Sequence, residues 1–359
     1  MTDDSPAAEM LAPDTFIPTA LTVGLIDADD VVWRGVEVRQ VGRSHPVYLL
    51  SVGGTGRAVI KSFGPRRGGT DGEPERERAV AALANVRPAV AALAPPLIPW
   101  DGPGNVVATR AVDGAVAWSV DRLGGGEEAP QVAWEALVDA LAPKLAEMHR
   151  ATRDLAAVGA IAPPALGGPI PWGLRLFDSD CPPELWTMPQ LAPLLVRLGA
   201  DAQVVAGLRR ARGSWRARCL IHGDLKHDNV LLRRGTGGLE IAIVDWEMAR
   251  IGDPAWDLAA LAMRLPMAEG INPPWTEANL AAVARLVATY GAASGIGLPA
   301  LAQRVIFYTG VWLIMSALQY LSTFAGDAPT GSADGLADAG ASTLQRADAL
   351  TADLMARLE

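Results

Sequence analysis

The sequence feature that most constrains the fold is a cluster of polar residues between two apolar runs at residues 220–232, LIHGDLKHDNVLL. The flanking runs, CLI before the cluster and NVLL after it, are typical of buried strands. A third run, LEIAIVDW, follows after GTGG, which is a hairpin signal. Because charged side chains between buried strands are held by a fixed backbone, this stretch predicts a rigid, chemically active loop.

The first third of the chain predicts an antiparallel sheet followed by one helix. Three apolar or alternating segments, separated by turn signals such as GGTG, indicate strands at residues 36–41, 47–52 and 57–63. The segment EPERERAVAALANV has acids in its first turns, which is typical of the N-terminus of a helix. Residues 96–114 then indicate two short strands around a Gly/Pro turn.

Beyond residue 112 the chain turns mostly helical, which favours an α+β, two-lobed architecture. We predict a flexible acidic leader at residues 1–24, an N-lobe of sheet and one helix at residues 25–112, and a helical C-lobe at residues 113–359. The most apolar segment, residues 305–321, is interrupted by Thr, Gly, Ser and Gln. These interruptions favour a buried helix over a membrane span.

The charge distribution narrows the range of partners. The formal charge is −9, but residues 1–30 have a balance of −7 and the tail from residue 323 has a balance of −4. Residues 31–322 are therefore left near neutrality, at about +2. A near-neutral body predicts no nucleic-acid partner and disfavours a polycationic substrate such as an aminoglycoside.

The cysteines and the N-terminus predict the compartment. The two cysteines, Cys181 and Cys219, are far apart and form no CxxC pair, which argues against a disulfide framework or a cysteine-ligated zinc site. The N-terminal residues include no basic region followed by an apolar run, so we expect no secretory signal. Both features favour a cytoplasmic protein without a membrane partner.

Three residues in and after the opening cluster have the pattern of a phosphoryl-transfer site. Asp224 and Asn229 lie five residues apart, and Asp245 ends the apolar run IAIVDW 16 residues later. Phosphoryl transfer needs a carboxylate that orients the attacking hydroxyl and oxygen ligands for Mg²⁺. Each acid alone would also fit a turn held by its own side chain, which is our interpretation of Asp228. The three positions together favour a kinase.

A cation for the nucleotide is available in AVIKSF, where Lys61 is the only charged residue of an apolar strand. Its ammonium either reaches solvent or points to the α/β-phosphates of a nucleotide. A carboxylate on the following helix would hold it in place. We favour Glu77 for this role, with Glu75 as the alternative.

These motifs, HGDLKHDN, IVDWEMARIGDPAWDLA and AVIK, resemble those of the aminoglycoside phosphotransferase and choline kinase family, which has a protein-kinase-like fold. The resemblance implies that Asp224 is the catalytic base and that Asn229 and Asp245 hold Mg²⁺. It also implies that Lys61 pairs with the α/β-phosphates of ATP, or of another nucleoside triphosphate, and that Glu77 braces Lys61.

The resemblance spans residues 36–260 and extends to supporting residues. It implies that His222 packs beneath the catalytic loop and that Asp253 and Asp257 brace the C-lobe. It also places a hinge, which offers backbone groups to adenine, at Thr109, Arg110 and Val112.

The nucleotide loop departs from the protein-kinase pattern. The segment VGRSHPVYLL has one glycine, Gly42, instead of a GxGxxG run, and Ser44 is the candidate small residue near the phosphates. The sequence has no GxxxxGK[ST], so a P-loop enzyme is excluded. Lys226, two residues after Asp224, could steady the γ-phosphate or could equally be a solvated loop lysine.

The acceptor remains open at this stage. The family implies a hydroxyl of a small molecule, such as an antibiotic, sugar, amino alcohol or secondary metabolite. A peptide Ser/Thr hydroxyl in ribosomal-peptide maturation is the alternative, and Lys226 is compatible with it. An ATP-binding pseudokinase or scaffold is the alternative from another class, although the set Lys61, Asp224, Asn229 and Asp245 argues against it.

Overall fold

The computed structural model describes residues 13–41, 46–63, 72–100, 105–112, 116–117, 133–157, 164–236, 238–264, 275–323 and 330–358. The chain divides into two compact units. The first unit comprises Met1–Ala117 with Val230–Ala249, and the second comprises Trp118–Asn229 with Arg250–Glu359.

The strands of the described residues form three antiparallel sheets, with strand orders β1-β2-β3-β4, β5-β7-β8 and β6-β9. Their bounds are β1 (Val36–Gln40), β2 (Val47–Val52), β3 (Thr55–Ser62), β4 (Val106–Arg110), β5 (Val116–Ala117), β6 (Cys219–Ile221), β7 (Val230–Gly235), β8 (Gly238–Ile243) and β9 (Arg250–Gly252).

The helices of the described residues account for most of the second unit. Their bounds are α1 (Pro13–Thr22), α2 (Glu73–Val86), α3 (Pro88–Ala91), α4 (Trp134–Ala151), α5 (Arg153–Ala157), α6 (Glu184–Thr187), α7 (Ala192–Ala200), α8 (Ala202–Ser214), α9 (Pro254–Ala262), α10 (Glu277–Ser294), α11 (Leu298–Thr323), α12 (Thr330–Gln345) and α13 (Ala347–Ala356). The four-stranded sheet of the first unit and the mainly helical second unit confirm the predicted α+β class.

The four-stranded sheet fixes the direction of the Lys61 side chain. In β3, Ala58 and Ile60 are buried in the core, and successive residues of a strand point to opposite faces. Lys61 therefore lies on the other face, where it is opposite Val47 of β2 and Val107 of β4. The strand alternation predicted from AVIKSF is present.

Helix α1 belongs to the core of the first unit. Phe16 and Ala20 are buried with residues of β2 and β3, and the Phe16 ring lies 5.4 Å from that of Tyr48. This finding differs from the flexible leader predicted for residues 1–24. The i, i+4 spacing of Phe16 and Ala20 supplies an apolar stripe that the surrounding acids and prolines concealed.

Two other boundaries differ from the sequence prediction. Of the two strands expected within residues 96–114, one is β4, whereas the other is reduced to an isolated bridge between Leu97 and Thr109. The hairpin β7–β8 pairs with β5, so residues 230–249 belong to the first unit. A single cut after residue 112 therefore does not describe the chain.

The core of the second unit is built around α11. This helix is long and apolar enough to cross a membrane, but 72% of its most apolar window is buried inside the protein. Trp256 of α9 packs against Tyr308 and Trp312 of α11, with ring centroids 5.6 and 4.9 Å away. The apolar segment at residues 305–321 is thus a buried helix, as predicted.

Candidate active site

Lys61 is the centre of a charged cluster in the first unit. Its ammonium donates to Glu77 Oε2 at 3.0 Å and to Glu247 Oε2 at 2.7 Å, and it also contacts the Asp245 carboxylate. The other acid considered from the sequence, Glu75, instead lies 3.9 Å from Arg78. Glu77 is therefore the helix α2 carboxylate that contacts Lys61.

Burial and the neighbouring charges shift the pKa values of Lys61 and Glu77. Burial opposes the charge of Lys61, but Glu77, Asp245 and Glu247 raise its pKa above the ordinary value. Burial raises the pKa of Glu77 from 4.5 to about 7, and the Lys61 ammonium opposes that shift only in part. Three carboxylates around one cation leave an excess of negative charge, which favours a second cation or a proton at this point.

The backbone after β8 positions Asp245 and Glu247. Among the described residues, Asp245 is the only non-glycine residue with a left-handed backbone, at φ 67°. The following 3₁₀ turn, Trp246–Met248, is fixed because Trp246 Nε1 donates to the Ile243 carbonyl at 2.7 Å. Helix α2 contributes Arg76, which donates to the Glu247 carbonyl at 3.2 Å. Backbone strain of this kind persists at sites where the surroundings hold it.

The acids of the cluster fit a divalent metal ion. Ligand oxygens of Glu77, Asp245 and Glu247 lie within 4.8 Å of one another. Carboxylate oxygens are the ligands that Mg²⁺ prefers in proteins. Asp245 and Glu247 are the more accessible pair, since their side chains are 34% and 15% exposed, against 11% for Glu77.

The second unit holds the HGDLKHDN motif in a network of hydrogen bonds. The Asp224 carbonyl accepts from Asn229 Nδ2 and from the Lys226 amide, each at 2.8 Å. The Asp224 amide donates to His222 Nδ1 at 3.2 Å. These bonds fix the main chain of Asp224 and leave its carboxylate to interact with side chains.

Asp257 of α9 anchors the start of this loop. Its carboxylate accepts from the amides of His222 and Gly223 at 2.8 and 3.0 Å and lies 3.4 Å from His149 Nε2. The neighbouring Trp256 donates from Nε1 to the Gly223 carbonyl at 3.1 Å. Gly223 has a φ of 83°, a conformation that favours glycine, so the turn depends on that residue.

The charged residues of the loop differ in exposure and contacts. Lys226 Nζ lies 3.0 Å from Asp224 Oδ2. His227 Nε2 lies 2.5 Å from Asp228 Oδ1 and 3.3 Å from Arg264, and the His227 hydrogen bond lowers the pKa of Asp228. Asp228 is largely exposed, as expected of loop surface, whereas His227 is half-buried.

The predicted hinge lies at the end of β4. Thr109 and Val112 are half-buried and Arg110 is exposed. The Arg110 amide already donates to the Pro96 carbonyl at 3.1 Å, so this donor is used within the protein. Gly42 and Ser44, predicted near the phosphates, lie outside the described residues.

Sequence reasoning gave no role to Glu247 and only a bracing role to Asp257. Glu247 contacts Lys61 directly, two residues after Asp245. Asp245 has a left-handed backbone and Trp246–Met248 form a 3₁₀ turn, so strand alternation could not have predicted this contact. The amide bonds of Asp257 depend on tertiary packing of α9 and had no local signal.

The sequence profile of the phosphotransferase enzyme family matches residues 35–304. A comparison with curated protein sequences finds no match.

Solved structures with a similar fold include three enzymes with low sequence identity. An ethanolamine kinase from Plasmodium vivax is 13% identical, with a TM-score of 0.56, and the match covers 94% of this chain and 89% of that chain. The GDP complex of a mutant aminoglycoside 2′-phosphotransferase-IIIa is 19% identical, with a TM-score of 0.53 and coverage of 93% and 96%. A macrolide 2′-phosphotransferase from Brachybacterium faecium is 18% identical, with a TM-score of 0.53 and coverage of 91% and 97%. These likenesses concern the fold.

Proposed function

We propose, since the chain belongs to the phosphotransferase enzyme family, that it transfers the γ-phosphoryl group of ATP, or of another nucleoside triphosphate, to a hydroxyl of a small molecule. The observation that supports this most is the cluster in which Lys61 contacts Glu77 and Asp245. A buried lysine held by a helix carboxylate, beside an acid that suits a metal ion, is what binding of a triphosphate requires.

The residues of the cluster have distinct proposed roles. Lys61 binds the α/β-phosphates, and Glu77 holds its ammonium in place from α2. Asp245 is a ligand of Mg²⁺, with Asn229 as a second ligand and Glu247 as a further carboxylate in reach of Lys61. A metal ion held by these residues would supply positive charge beside the transferring phosphoryl group. Gly42, Ser44, Thr109, Arg110 and Val112 remain proposals for nucleotide binding.

Asp224 is the proposed catalytic base. Its main chain is fixed by Asn229, Lys226 and His222, so its carboxylate has a defined position from which to orient a hydroxyl and accept its proton. Lys226, 3.0 Å from that carboxylate, is the proposed partner of the transferring phosphate.

A small-molecule acceptor is the first choice because the compared enzymes are named for ethanolamine, an aminoglycoside and a macrolide. A peptide Ser/Thr hydroxyl is the second candidate, and the contact of Lys226 with Asp224 is compatible with it. We also propose a cytoplasmic location with neither nucleic acid nor membrane as partner, in keeping with two free cysteines.

Equilibrium binding of ATP with and without Mg²⁺ tests the proposal. Asp245→Asn should weaken ATP binding in the presence of Mg²⁺ by at least about tenfold. Mutation of residues that merely support a metal ligand already costs about that much, and Asp245 is the proposed ligand itself. The matched control is Asp228→Asn, which changes an exposed acid in the same way and should bind ATP as the wild type does.

Turnover separates an enzyme from a scaffold. The wild type should consume ATP with Mg²⁺ when it is offered a panel of small hydroxyl compounds, and a Ser/Thr peptide panel tests the second candidate. ATP binding without transfer to any compound of either panel, or to water, would instead support a pseudokinase. Equal Mg²⁺ dependence in the wild type and Asp245→Asn would contradict the metal role.

A further inference from the structure

A cavity of about 550 Å³ in the second unit is lined by three arginines. Its other lining residues are small or apolar and come from the segment before β6, the turn between α10 and α11, and the start of α11. None of the lining residues belongs to the catalytic loop. The lining comprises Arg153, Ala217, Arg218, Gly295, Ile296, Gly297, Ala300 and Arg304.

The charges on this cavity are predominantly positive. Arg304 is paired with the buried Asp253 at 3.0 Å, and Arg153 donates to the Ser294 carbonyl at 3.2 Å. Within the described part of the chain, Arg218 bonds through its amide to the Gly252 carbonyl at 2.8 Å, and its side chain has no acidic partner. The lining residues include no acid.

The arginines converge from three separate elements. Arg153 begins α5, Arg218 precedes β6, and Arg304 lies in the second turn of α11. Arg153 and Arg218 both act on the buried Cys219, whose pKa burial raises and these two cations lower. Both guanidinium-bearing residues line the same cavity.

An open wall and the N-terminus of helix α11 also favour an anionic ligand in this cavity. A Cβ added at Gly295 or at Gly297 would meet no atom within 4 Å, so this wall of the cavity is open. Helix α11 begins at Leu298 with no acid in its first turn, and its N-terminal end adds partial positive charge.

We propose that this cavity binds a small, multiply charged phosphate ligand, of the class of diphosphates and phosphorylated metabolites. Guanidinium groups form paired hydrogen bonds to phosphate oxygens, and arginines from three elements can contact more than one phosphate group. The volume lies in the range typical of small-molecule sites, roughly 300–1,000 Å³. This binding is independent of the proposed phosphoryl transfer.

Calorimetric titration with inorganic pyrophosphate, without divalent cations, tests the assignment on the full chain. Arg218→Gln should weaken binding about tenfold or more, because a charge-assisted paired contact is lost. Gly297→Glu should weaken it similarly, since it introduces a carboxylate into open space. The matched control is Arg209→Gln on α8, an exposed arginine outside the cavity, which should bind within about twofold of the wild type.

Comparison of the variants distinguishes pyrophosphate binding in the arginine-lined cavity from binding at the cluster around Lys61. Weakening by Lys61→Met but not by Arg218→Gln would assign pyrophosphate to the charged cluster of the first unit and overturn the proposal. Absence of measurable binding by the wild type at millimolar pyrophosphate would also overturn it. Binding of citrate as tight as that of pyrophosphate would overturn the phosphate assignment. Unfolding midpoints equal to the wild type's establish that the variants are folded.

Discussion

At the scale of single residues, the cluster around Lys61 combines one cation with three acids. The side chains of Lys61 and Glu77 are nearly buried, so each depends on the other for compensation of its charge. Burial raises the pKa of Glu77 to about 7. This residue gives the metal-free protein a specific pH dependence.

Glu77→Gln tests that dependence. A group whose folded pKa is raised from 4.5 to about 7 contributes stability that is present below pH 4.5 and lost as the pH rises to about 7. The wild type should therefore lose up to about 3 kcal/mol of unfolding free energy over this range. Glu77→Gln removes this titrating group and should flatten the profile.

Urea unfolding from pH 4.5 to 7 without divalent cations measures the effect. Glu75→Gln is the control, because Glu75 lies on the same helix with an exposed side chain and should leave the profile unchanged. Parallel profiles for the wild type and Glu77→Gln would show that Glu77 titrates in the folded protein as it does in the unfolded chain.

The sequence predicts only some of the side chains that contact Lys61. Lys61 and Asp245 stand out because each is a charged residue in an apolar run. The choice between Glu75 and Glu77 depends on how α2 is rotated against the sheet, and local spacing does not contain that rotation. The contact of Glu247 with Lys61 likewise depends on the left-handed backbone of Asp245, next to which Trp246 Nε1 donates to the Ile243 carbonyl.

At the scale of elements, α1 and α9 stabilise different parts of the molecule. Helix α1 covers the core face of the four-stranded sheet with Phe16 and Ala20. Helix α9 is buried along its whole length and holds the catalytic loop through Asp257. We therefore expect a substitution of Phe16 in α1 to affect stability, and a substitution of Asp257 in α9 to affect both stability and turnover.

Phe16→Ala should lower the free energy of unfolding by about 3 kcal/mol, because it removes a fully buried aromatic side chain and leaves a cavity. Leu21→Ala is the control on the same helix, since Leu21 is 38% exposed and should cost less than about 1 kcal/mol. Chemical denaturation of both variants measures the difference. An equal, small loss for both would indicate that α1 does not pack on the sheet.

Asp257→Asn should affect both stability and turnover. It weakens charge-assisted bonds from the amides of His222 and Gly223, at a cost of about 2 kcal/mol. Displacement of the loop should lower kcat about tenfold or more while ATP affinity changes little. Denaturation and steady-state kinetics measure the two effects, with the exposed Asp334→Asn as control. A stability loss without a fall in kcat would contradict the positioning role.

The sequence predicts elements well where the pattern is local. The predicted helix EPERERAVAALANV corresponds to α2, and the strands around GGTG correspond to β2 and β3. The missed element, α1, has a short apolar stripe interrupted by Pro18, so its stability depends on the sheet rather than on local propensity.

At the scale of the whole molecule, the chain returns to its first unit after it has entered the second. Residues 230–249 pair with β5, which lies more than a hundred residues earlier in the chain. Motif order predicts the α+β fold correctly, because both the sheet and the helices have local signals. It does not predict this return, since the pairing of β5 with β7 has no signature in either strand.

The proposed role of Asp224 as the catalytic base of a phosphotransferase can be measured by single-turnover transfer from γ-labelled ATP with Mg²⁺, to a panel acceptor or to water. Asp224→Ala should lower the transfer rate about a thousandfold, in line with general-base catalysis, while ATP affinity stays within about threefold of the wild type. Transfer by Asp224→Ala at the wild-type rate would contradict the account.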